Sequence, residues 1–85
     1  MKKFYVLVNP SGGQKKGLKI LQQIQPIFAE NGAELTVLET GYPGHARDYA
    51  REVDFHGYDG LCAIGGDGTI HEMVNGMLSR TDGDT

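Results

Sequence analysis

Residues 61–72 read LCAIGGDGTIHE and decide the fold of this chain. Four apolar residues, a glycine-rich turn with one acid and an amphipathic run from Thr69 predict a strand, a loop and a helix in succession. A strand that leads into a helix through a loop with almost no side chains leaves several backbone N–H groups unpaired and pointing the same way. Such a site suits an anion, most often a phosphate.

The same order of strand, loop and helix occurs twice before this stretch. Residues 4–8 predict a buried strand, and residues 16–31 predict a helix in which Pro26 introduces a kink. Residues 34–40 predict a second strand, whose polar insertions place it near a sheet edge. A second helix then ends near Gly57, and the third strand spans residues 58–64.

The third helix has the most regular apolar spacing. Its apolar residues recur at i, i+3, i+4, i+7 and i+8, which predicts that they pack into the core. They are Ile70, Met73, Val74, Met77 and Leu78.

Two polar residues of this helix have two interpretations each. Residues 69–72 fit a capping box, in which Thr69 bonds the backbone at position 72 and Glu72 returns to the N–H of Thr69. Glu72 is therefore either a helix cap or a contact in the functional site. Asn75, one turn beyond, either bonds Glu72 or belongs to a solvated face.

Strands that alternate with helices through short connections predict right-handed parallel crossovers. The chain is therefore assigned to the α/β class, as a three-layer, Rossmann-like parallel sheet. In such a sheet the loops after the strands emerge at the same edge. We expect residues 9–13, 40–44 and 65–68 to line one crevice.

Composition narrows the class of partner. The 85 residues allow at most one domain, and a net charge of -3 offers no basic surface for nucleic acid.

The single Cys62 cannot form an internal disulfide, which favours a packing role and a reducing, cytoplasmic compartment. No run approaches the ~20 apolar residues of a membrane span. The three histidines lack the spacing of metal ligands, so no zinc site is predicted and metal-ligating residues stay unassigned.

The glycine-rich turn carries the most specific chemical signal. Gly65 and Gly66 let backbone approach a phosphate closely, Gly68 is expected in a turn that no side chain would tolerate, and Thr69 opens the helix. A carboxylate such as Asp67 beside phosphates would hold Mg²⁺, orient a donor or accept a proton from an attacking hydroxyl. The alternative is that Asp-Gly is only a common turn pair.

Two known phosphate motifs do not fit. The Rossmann glycine pattern is missing after the first strand, where residues 9–14 read NPSGGQ. A P-loop beginning at Gly12 would need Lys and Ser or Thr where Leu18 and Lys19 stand. Lys15 and Lys16 either reach a triphosphate or are solvated.

The residues resemble the diacylglycerol kinase-like catalytic domain family, which includes bacterial lipid kinases, sphingosine kinases and ceramide kinases. Three motifs follow the three strands in the family's order and cover nearly the whole chain. They are Asn9-Pro10-x-x-Gly13, then Thr40 with Pro43-Gly44-His45-Ala46, and finally Gly65-Gly66-Asp67-Gly68-Thr69-x-x-Glu72-x-x-Asn75-Gly76.

The resemblance implies ATP-dependent, Mg²⁺-dependent phosphorylation of a lipid hydroxyl, on diacylglycerol or a sphingoid-type alcohol, by a fold similar to NAD kinase and phosphofructokinase. It makes Asp67 the candidate catalytic residue, and it places Thr40 toward the nucleoside. It also implies a lipid substrate met at a membrane surface by the full-length protein. The residues that it assigns to the nucleotide are Asn9, Pro10, Ser11, Gly12, Gly13, Thr40, Gly65, Gly66, Asp67, Gly68, Thr69 and Glu72.

Family members continue beyond this length with the rest of the domain and a second, β-rich domain. We therefore expect residues 1–85 to be the N-terminal, ATP-binding part of the catalytic domain, inactive toward lipid alone. NAD kinase shares the pattern of residues 65–69, but the motifs around Asn9 and Asn75 favour the lipid branch. A silent nucleotide-binding α/β module is the other alternative, and a homodimer is compatible with the sequence.

Overall fold

A computed structural model describes residues 2–10 and 16–80. Within these ranges six elements alternate, and the three strands form one parallel sheet in the order β2-β1-β3. The predicted α/β class and element order are confirmed, and the element bounds differ from the predicted ones by a few residues. The elements are β1 Lys2–Val8, α1 Gly17–Glu30, β2 Ala33–Glu39, α2 His45–Glu52, β3 Gly60–Ile64 and α3 Asp67–Leu78.

Strand β1 is the centre of the sheet. It pairs with β2 along its whole length, from Lys2 opposite Ala33 onward, and with β3 from Phe4 opposite Gly60. β2 therefore lies at an edge, as its polar insertions predicted, and β3 forms the other edge of the described sheet. Because β1 is covered on both faces, its last three residues are almost completely buried.

Helix α1 covers one face of the sheet. Val6, Val8, Leu21 and Ile64 form the core there, and Ile24 packs against them. The apolar residues of α1 recur at helical spacing; of these, Leu21 and Ile24 pack into the core, whereas residues 18 and 27 are exposed. The helix continues through position 26, where a proline removes one backbone hydrogen bond on the exposed side.

Helices α2 and α3 lie on the opposite face. The register turns Tyr5 to this side, and its hydroxyl donates to the carbonyl of Asp54, just after α2, at 2.6 Å. The two helices meet through small residues, because Ala50 and Gly76 are both buried. A Cβ added at Gly76 would lie 2.7 Å from the Ala50 Cβ and would also collide with the Arg47 carbonyl.

The predicted burial of the apolar stripe on α3 is wrong for four of its five members. Only Met73 is half-buried, because α3 packs on α2 through its glycine side and no described element covers its apolar side. The exposed members are Ile70, Val74, Met77 and Leu78, at 45%, 46%, 39% and 80% exposure.

The start of α3 also differs from the prediction. The helix begins at Asp67, after Gly66 as its N-cap, so Thr69 lies in the first turn. The Thr69 N–H donates to the Gly66 carbonyl at 3.1 Å, and no side chain caps the helix. The predicted capping box of Thr69 and Glu72 is therefore wrong, because its Thr must occupy the N-cap position.

Aromatic rings pack at the end of the sheet where the strands begin. Tyr5 stacks on Tyr58 with ring centroids 3.8 Å apart, and Phe55 meets Tyr5 edge-on. The Tyr58 hydroxyl shares a hydrogen bond of 2.8 Å with the Thr36 hydroxyl. These contacts fix the chain between α2 and β3. Within the described residues, no helix has both the length and the apolar character that a bilayer span requires.

Candidate functional site

At the opposite end of the sheet, where the strands end, the structure has a crevice. Helix α1 follows β1 on one face and α3 follows β3 on the other, so the loops after these neighbouring strands diverge. Such a switch point is where open α/β sheets bind ligands. The crevice consists of a larger cavity of about 490 Å³ and a smaller one of about 320 Å³. Asn9, Gly66 and Thr69 line both.

The two cavities divide the predicted loops between them. The larger one lies between the loops after β2 and β3, and the smaller one lies between the start of α1 and the loop after β3. The larger cavity is lined by Asn9, Thr40, Gly41, Tyr42, Pro43, Ala46, Gly66, Gly68, Thr69 and Glu72. The smaller cavity is lined by Asn9, Lys16, Gly17, Ile20, Ile64, Gly65, Gly66 and Thr69.

The structure therefore brings together most of the predicted site residues that it describes. Pro10 and Asp67 are the two that line neither cavity, although both adjoin residues that do. The assigned residues Ser11, Gly12 and Gly13 lie outside the described residues. The prediction that the loops after the three strands line one crevice is confirmed for Asn9 and for the loops after β2 and β3.

The N-terminus of α3 forms one side of the crevice. The N–H groups of Thr69 and Ile70 both donate to the Gly66 carbonyl. The N–H groups of Asp67 and Gly68 have no partner among residues 2–10 and 16–80. These two groups stand at the positive end of the helix dipole, where an anion is stabilised.

The three glycines of this turn have different reasons to be glycine. A Cβ at Gly65 would lie 2.8 Å from the Thr69 hydroxyl, so the chain itself requires glycine there. Gly66 and Gly68 have no neighbouring atom within 4 Å of such a Cβ. The predicted side-chain-intolerant turn at Gly68 is wrong, because that residue lies in the first turn of α3. The space over Gly66 and Gly68 is open to a ligand.

The loop after β2 forms the opposite wall, and three of its backbone N–H groups donate hydrogen bonds to other parts of the chain. The Thr40 N–H donates to the Val8 carbonyl at 2.9 Å. The Gly41 N–H donates to Nδ1 of His45 at 2.8 Å. Gly44, in the left-handed region with φ of 89°, donates its N–H to Oε2 of Glu72 at 3.1 Å. These three bonds join the wall to β1, α2 and α3.

Glu72 is neither the predicted cap nor an isolated surface acid. Its carboxylate joins the loop after β2 to α3 through Gly44, and it also lines the larger cavity. Asn75 contacts His71 at 3.3 Å instead of Glu72, so the hypothesis of an Asn75–Glu72 bond is wrong. The part-buried carboxylate adds negative charge to the wall opposite the helix dipole.

An aromatic stack supports the same wall and was not predicted. His45 lies between Tyr42 and Tyr49, with ring centroids 4.2 Å and 4.1 Å away. The Tyr42 hydroxyl donates to Asp48 at 3.1 Å, and this bond raises the pKa of Tyr42 above its ordinary value. The spacing of 45 and 49 could have indicated one of the two ring contacts, because residues four apart share a helix face. Tyr42 lies before α2, so its contact with His45 had no such signal.

Lining residues from α1 and α2 were also not predicted. Ala46 of α2 and Ile20 of α1 contribute apolar surface, and Gly17 closes the start of α1 against the end of β1. A Cβ at Gly17 would lie 2.8 Å from the Val8 side chain. The only sequence signal for Gly17 was a glycine at the beginning of a predicted helix.

The described acids do not form a metal site. Within the described ranges, no group of three or more His, Cys, Asp or Glu side chains is placed to hold a metal ion. Asp67 stands at the start of α3, while the Glu72 carboxylate is engaged with Gly44. Mg²⁺ needs six oxygen ligands and often takes several from substrate phosphates and water. The described residues do not supply such a set.

The chain has clear relatives. The sequence pattern of the diacylglycerol kinase catalytic domain matches residues 3–84. Sphingosine kinase 1 of Arabidopsis thaliana is 43% identical over 82 residues, which cover 95% of this chain and 17% of that protein. Sphingosine kinase 1 of Homo sapiens is 38% identical over 81 residues, which cover 94% of this chain and 21% of that protein.

A similar solved structure comes from Bacillus anthracis str. Sterne, from a protein assigned as a diacylglycerol kinase. It superposes with a TM-score of 0.74 at 32% sequence identity, over 94% of this chain and 27% of that one. The chain therefore spans between 17% and 27% of the length of these three relatives.

Proposed function

The chain belongs to the diacylglycerol kinase catalytic domain family, and from this premise we propose that it is the nucleotide-binding part of a lipid kinase. The proposed reaction transfers the γ-phosphoryl group of ATP to a hydroxyl group of diacylglycerol or of a sphingoid-type alcohol. ADP is the other product, and the proton of the hydroxyl group leaves with a base.

The observation that carries the proposal is the open space over Gly66 and Gly68. Neither glycine is required by contacts within the described chain, since an added Cβ would meet no atom within 4 Å. Both line the larger cavity beside the N–H groups of Asp67 and Gly68, which have no partner among the described residues. A phosphate that contacts backbone directly explains why side chains are missing there.

The two sides of the crevice suit the two ends of a nucleotide. The start of α3 offers N–H donors and a positive dipole end to phosphates, and Asn9 lines the crevice beside it. The assignment of Pro10, Ser11, Gly12 and Gly13 to the phosphates rests on the family resemblance. The wall formed by residues 40–43 offers a tyrosine ring and apolar surface to the nucleoside.

Asp67 is the proposed proton acceptor for the lipid hydroxyl. It is exposed at the first position of α3, where its own N–H group and that of Gly68 have no partner in the described ranges. In that place its carboxylate can receive the proton as the oxygen attacks phosphorus. Mg²⁺ is expected as the ion that accompanies the phosphates of ATP, and no step here is assigned to it.

We further propose that residues 1–85 form the first part of a larger catalytic domain. The exposed face of α3 supports this, because four large apolar side chains at 39% to 80% exposure are unusual on a face that stays in water. The remainder of the domain would cover this face and supply the lipid site, where the protein meets a membrane surface from the cytoplasm.

A transfer assay tests the proposed reaction. The full-length protein is incubated with labelled ATP, Mg²⁺ and one acceptor at a time, namely diacylglycerol, sphingosine or NAD. We expect label in one of the two lipids. Transfer to NAD alone would contradict the lipid assignment, and nucleotide binding without transfer to any acceptor would identify a silent module.

A glycine series tests the phosphate assignment. Gly66→Val and Gly68→Ala should leave the thermal unfolding midpoint within a few degrees, since both positions are open. We expect Gly66→Val to weaken ADP binding at least about tenfold, because its side chain occupies the phosphate space. Unchanged ADP affinity in Gly66→Val would contradict the assignment of a phosphate to this turn.

The substitution Asp67→Asn tests the proposed proton acceptor. Full transfer activity in this variant would contradict a role of Asp67 in the proton transfer.

A further inference from the structure

We infer that His45 is a positioning residue for the nucleoside wall of the crevice. This inference rests on the proposed function, because the wall matters only if a nucleotide lies against it. His45 lines neither cavity, yet it contacts two residues that line the larger one, Gly41 and Tyr42. It therefore acts on a ligand only through its neighbours.

The first contact fixes the backbone of the wall. The Gly41 N–H donates to Nδ1 of His45 at 2.8 Å, so Nδ1 accepts and the ring proton resides on Nε2. The acceptor reaches back four residues from the first position of α2 to the loop before it. This bond decides the direction in which the peptide between Thr40 and Gly41 points, and both residues line the larger cavity.

The second contact fixes the aromatic side chain of the wall. The rings of His45 and Tyr42 are nearly parallel, at 10°, and Tyr49 stacks on the other face of His45 at 19°. Tyr42 is 54% exposed, so most of its own surface is in solvent while one face rests on the imidazole. The bond from its hydroxyl to Asp48 sets the tilt of the ring. The stack gives the cavity a tyrosine ring that is already placed.

The other end of the wall is fixed independently. Gly44 is held by Glu72, and Thr40 is held by the Val8 carbonyl. Within the described part of the chain, His45 is the only side chain that both accepts a hydrogen bond from Gly41 and stacks on Tyr42. Removing His45 should therefore loosen the middle of the wall and leave both ends in place.

Three substitutions separate the two contacts. His45→Phe keeps a ring in the stack and removes the acceptor, whereas His45→Asn keeps an acceptor at the δ1 position and removes the ring. His45→Ala removes both. His56→Phe is the matched control, because His56 is exposed in the turn before β3, at the far edge of the sheet.

The readouts are the KM for ATP, the KM for the lipid and kcat, measured on the full-length protein, and the Kd of ADP. We expect His45→Phe to raise the KM for ATP and the Kd of ADP about fivefold, as the loss of one hydrogen bond predicts. The expected rise is about twofold for His45→Asn and above about tenfold for His45→Ala. The KM for the lipid and kcat should stay within about twofold in all variants, because only the nucleoside wall changes.

A measurement on the unsubstituted protein does not depend on how the variants fold. Scalar coupling between the Gly41 amide nitrogen and His45 Nδ1 reports the N–H···N bond directly by NMR. We expect the coupling with and without ADP, and its absence in both states would overturn the inference.

The outcomes separate this inference from the proposed function. A wild-type protein that binds neither ADP nor ATP contradicts the proposed function and the inference together. Wild-type nucleotide binding with unchanged constants in His45→Phe and His45→Ala contradicts the inference alone. Equal losses in kcat and in both KM values would also overturn it, since they would indicate general damage to the fold.

Discussion

Helices α1 and α3 both carry apolar residues at helical spacing, but they use them differently. In α1, Leu21 is buried at 6% exposure and packs with the core of β1. In α3, Val74 is 46% exposed, and the buried residue is Gly76, which touches α2. Large side chains attach α1 to the sheet, whereas a glycine without a side chain allows α3 to approach α2 closely.

The difference shows what an apolar period can and cannot indicate. Spacing near 3.6 residues identifies the face of a helix that is apolar, but it does not identify what lies opposite that face. The apolar face of α1 lies over the sheet. The apolar face of α3 points away from α2, and its contact with α2 requires close approach of two backbones. The comparison can be tested by removing each kind of contact.

Leu21→Ala should have the largest effect on stability. The side chain is almost completely buried in the α1 core, so its removal leaves a cavity and should lower the free energy of unfolding by about 3 kcal/mol. Leu18→Ala, on the same helix at 37% exposure, is the control and should cost less than about 1 kcal/mol. Urea unfolding measures both. Equal losses would mean that α1 does not use its apolar stripe as described.

Gly76→Ala should have the next largest effect. The added methyl group would meet the Ala50 side chain and the Arg47 carbonyl, so α2 and α3 must separate. We expect a loss of about 2 kcal/mol in the free energy of unfolding. Gly68→Ala, in the same helix with no atom within 4 Å, should instead be neutral or gain up to about 1 kcal/mol. A stabilised Gly76→Ala protein would contradict the close helix contact.

Val74→Ala should have a small effect in the chain of 85 residues and a larger one in the full-length protein. At 46% exposure, the change should stay within about 0.5 kcal/mol in the short chain. If the rest of the domain covers this face, the same change should cost about 1 to 3 kcal/mol in the longer protein. A small effect in both proteins would count against the proposed larger domain.

The smallest expected effect is on the reactivity of the Cys62 thiol, which packs against the core under α1. Burial raises the pKa of this thiol above its ordinary value. A smaller fraction is therefore thiolate at a given pH, and alkylation by iodoacetamide should be slower than in the protein unfolded in urea. The rate should rise at a higher pH than in the unfolded chain. Equal rates in both states would mean that this side of β3 is not covered.

The candidate site shows the same division between local and long-range information. The glycine-rich turn and the loop after β2 were predicted to share one crevice, because parallel strands end at the same edge. The sequence could not show that Gly65 is required by Thr69 while Gly66 and Gly68 are open. That distinction depends on where the next turn of the chain lies in space.

Glu72 shows most clearly what local spacing in the sequence cannot predict. Its spacing from Thr69 fitted a local capping box, yet its carboxylate binds Gly44, which is 28 positions away in the sequence. The capping box does not form because the N-cap of α3 is Gly66, three residues before the position that the spacing implied. His45 was likewise visible as part of a motif, but its bond to Gly41 and its stack could be seen only in the folded chain.

The sequence alone determined the α/β class, the order of the elements and the edge of the sheet that carries the loops, because these follow from local propensity and from the geometry of parallel strands. Tertiary structure alone decided which apolar faces are covered, which glycines are required by the chain and which residue Glu72 binds. These features depend on contacts between distant segments. Local spacing does not record such contacts, since the free energy of a contact comes from the partner as much as from the residue itself.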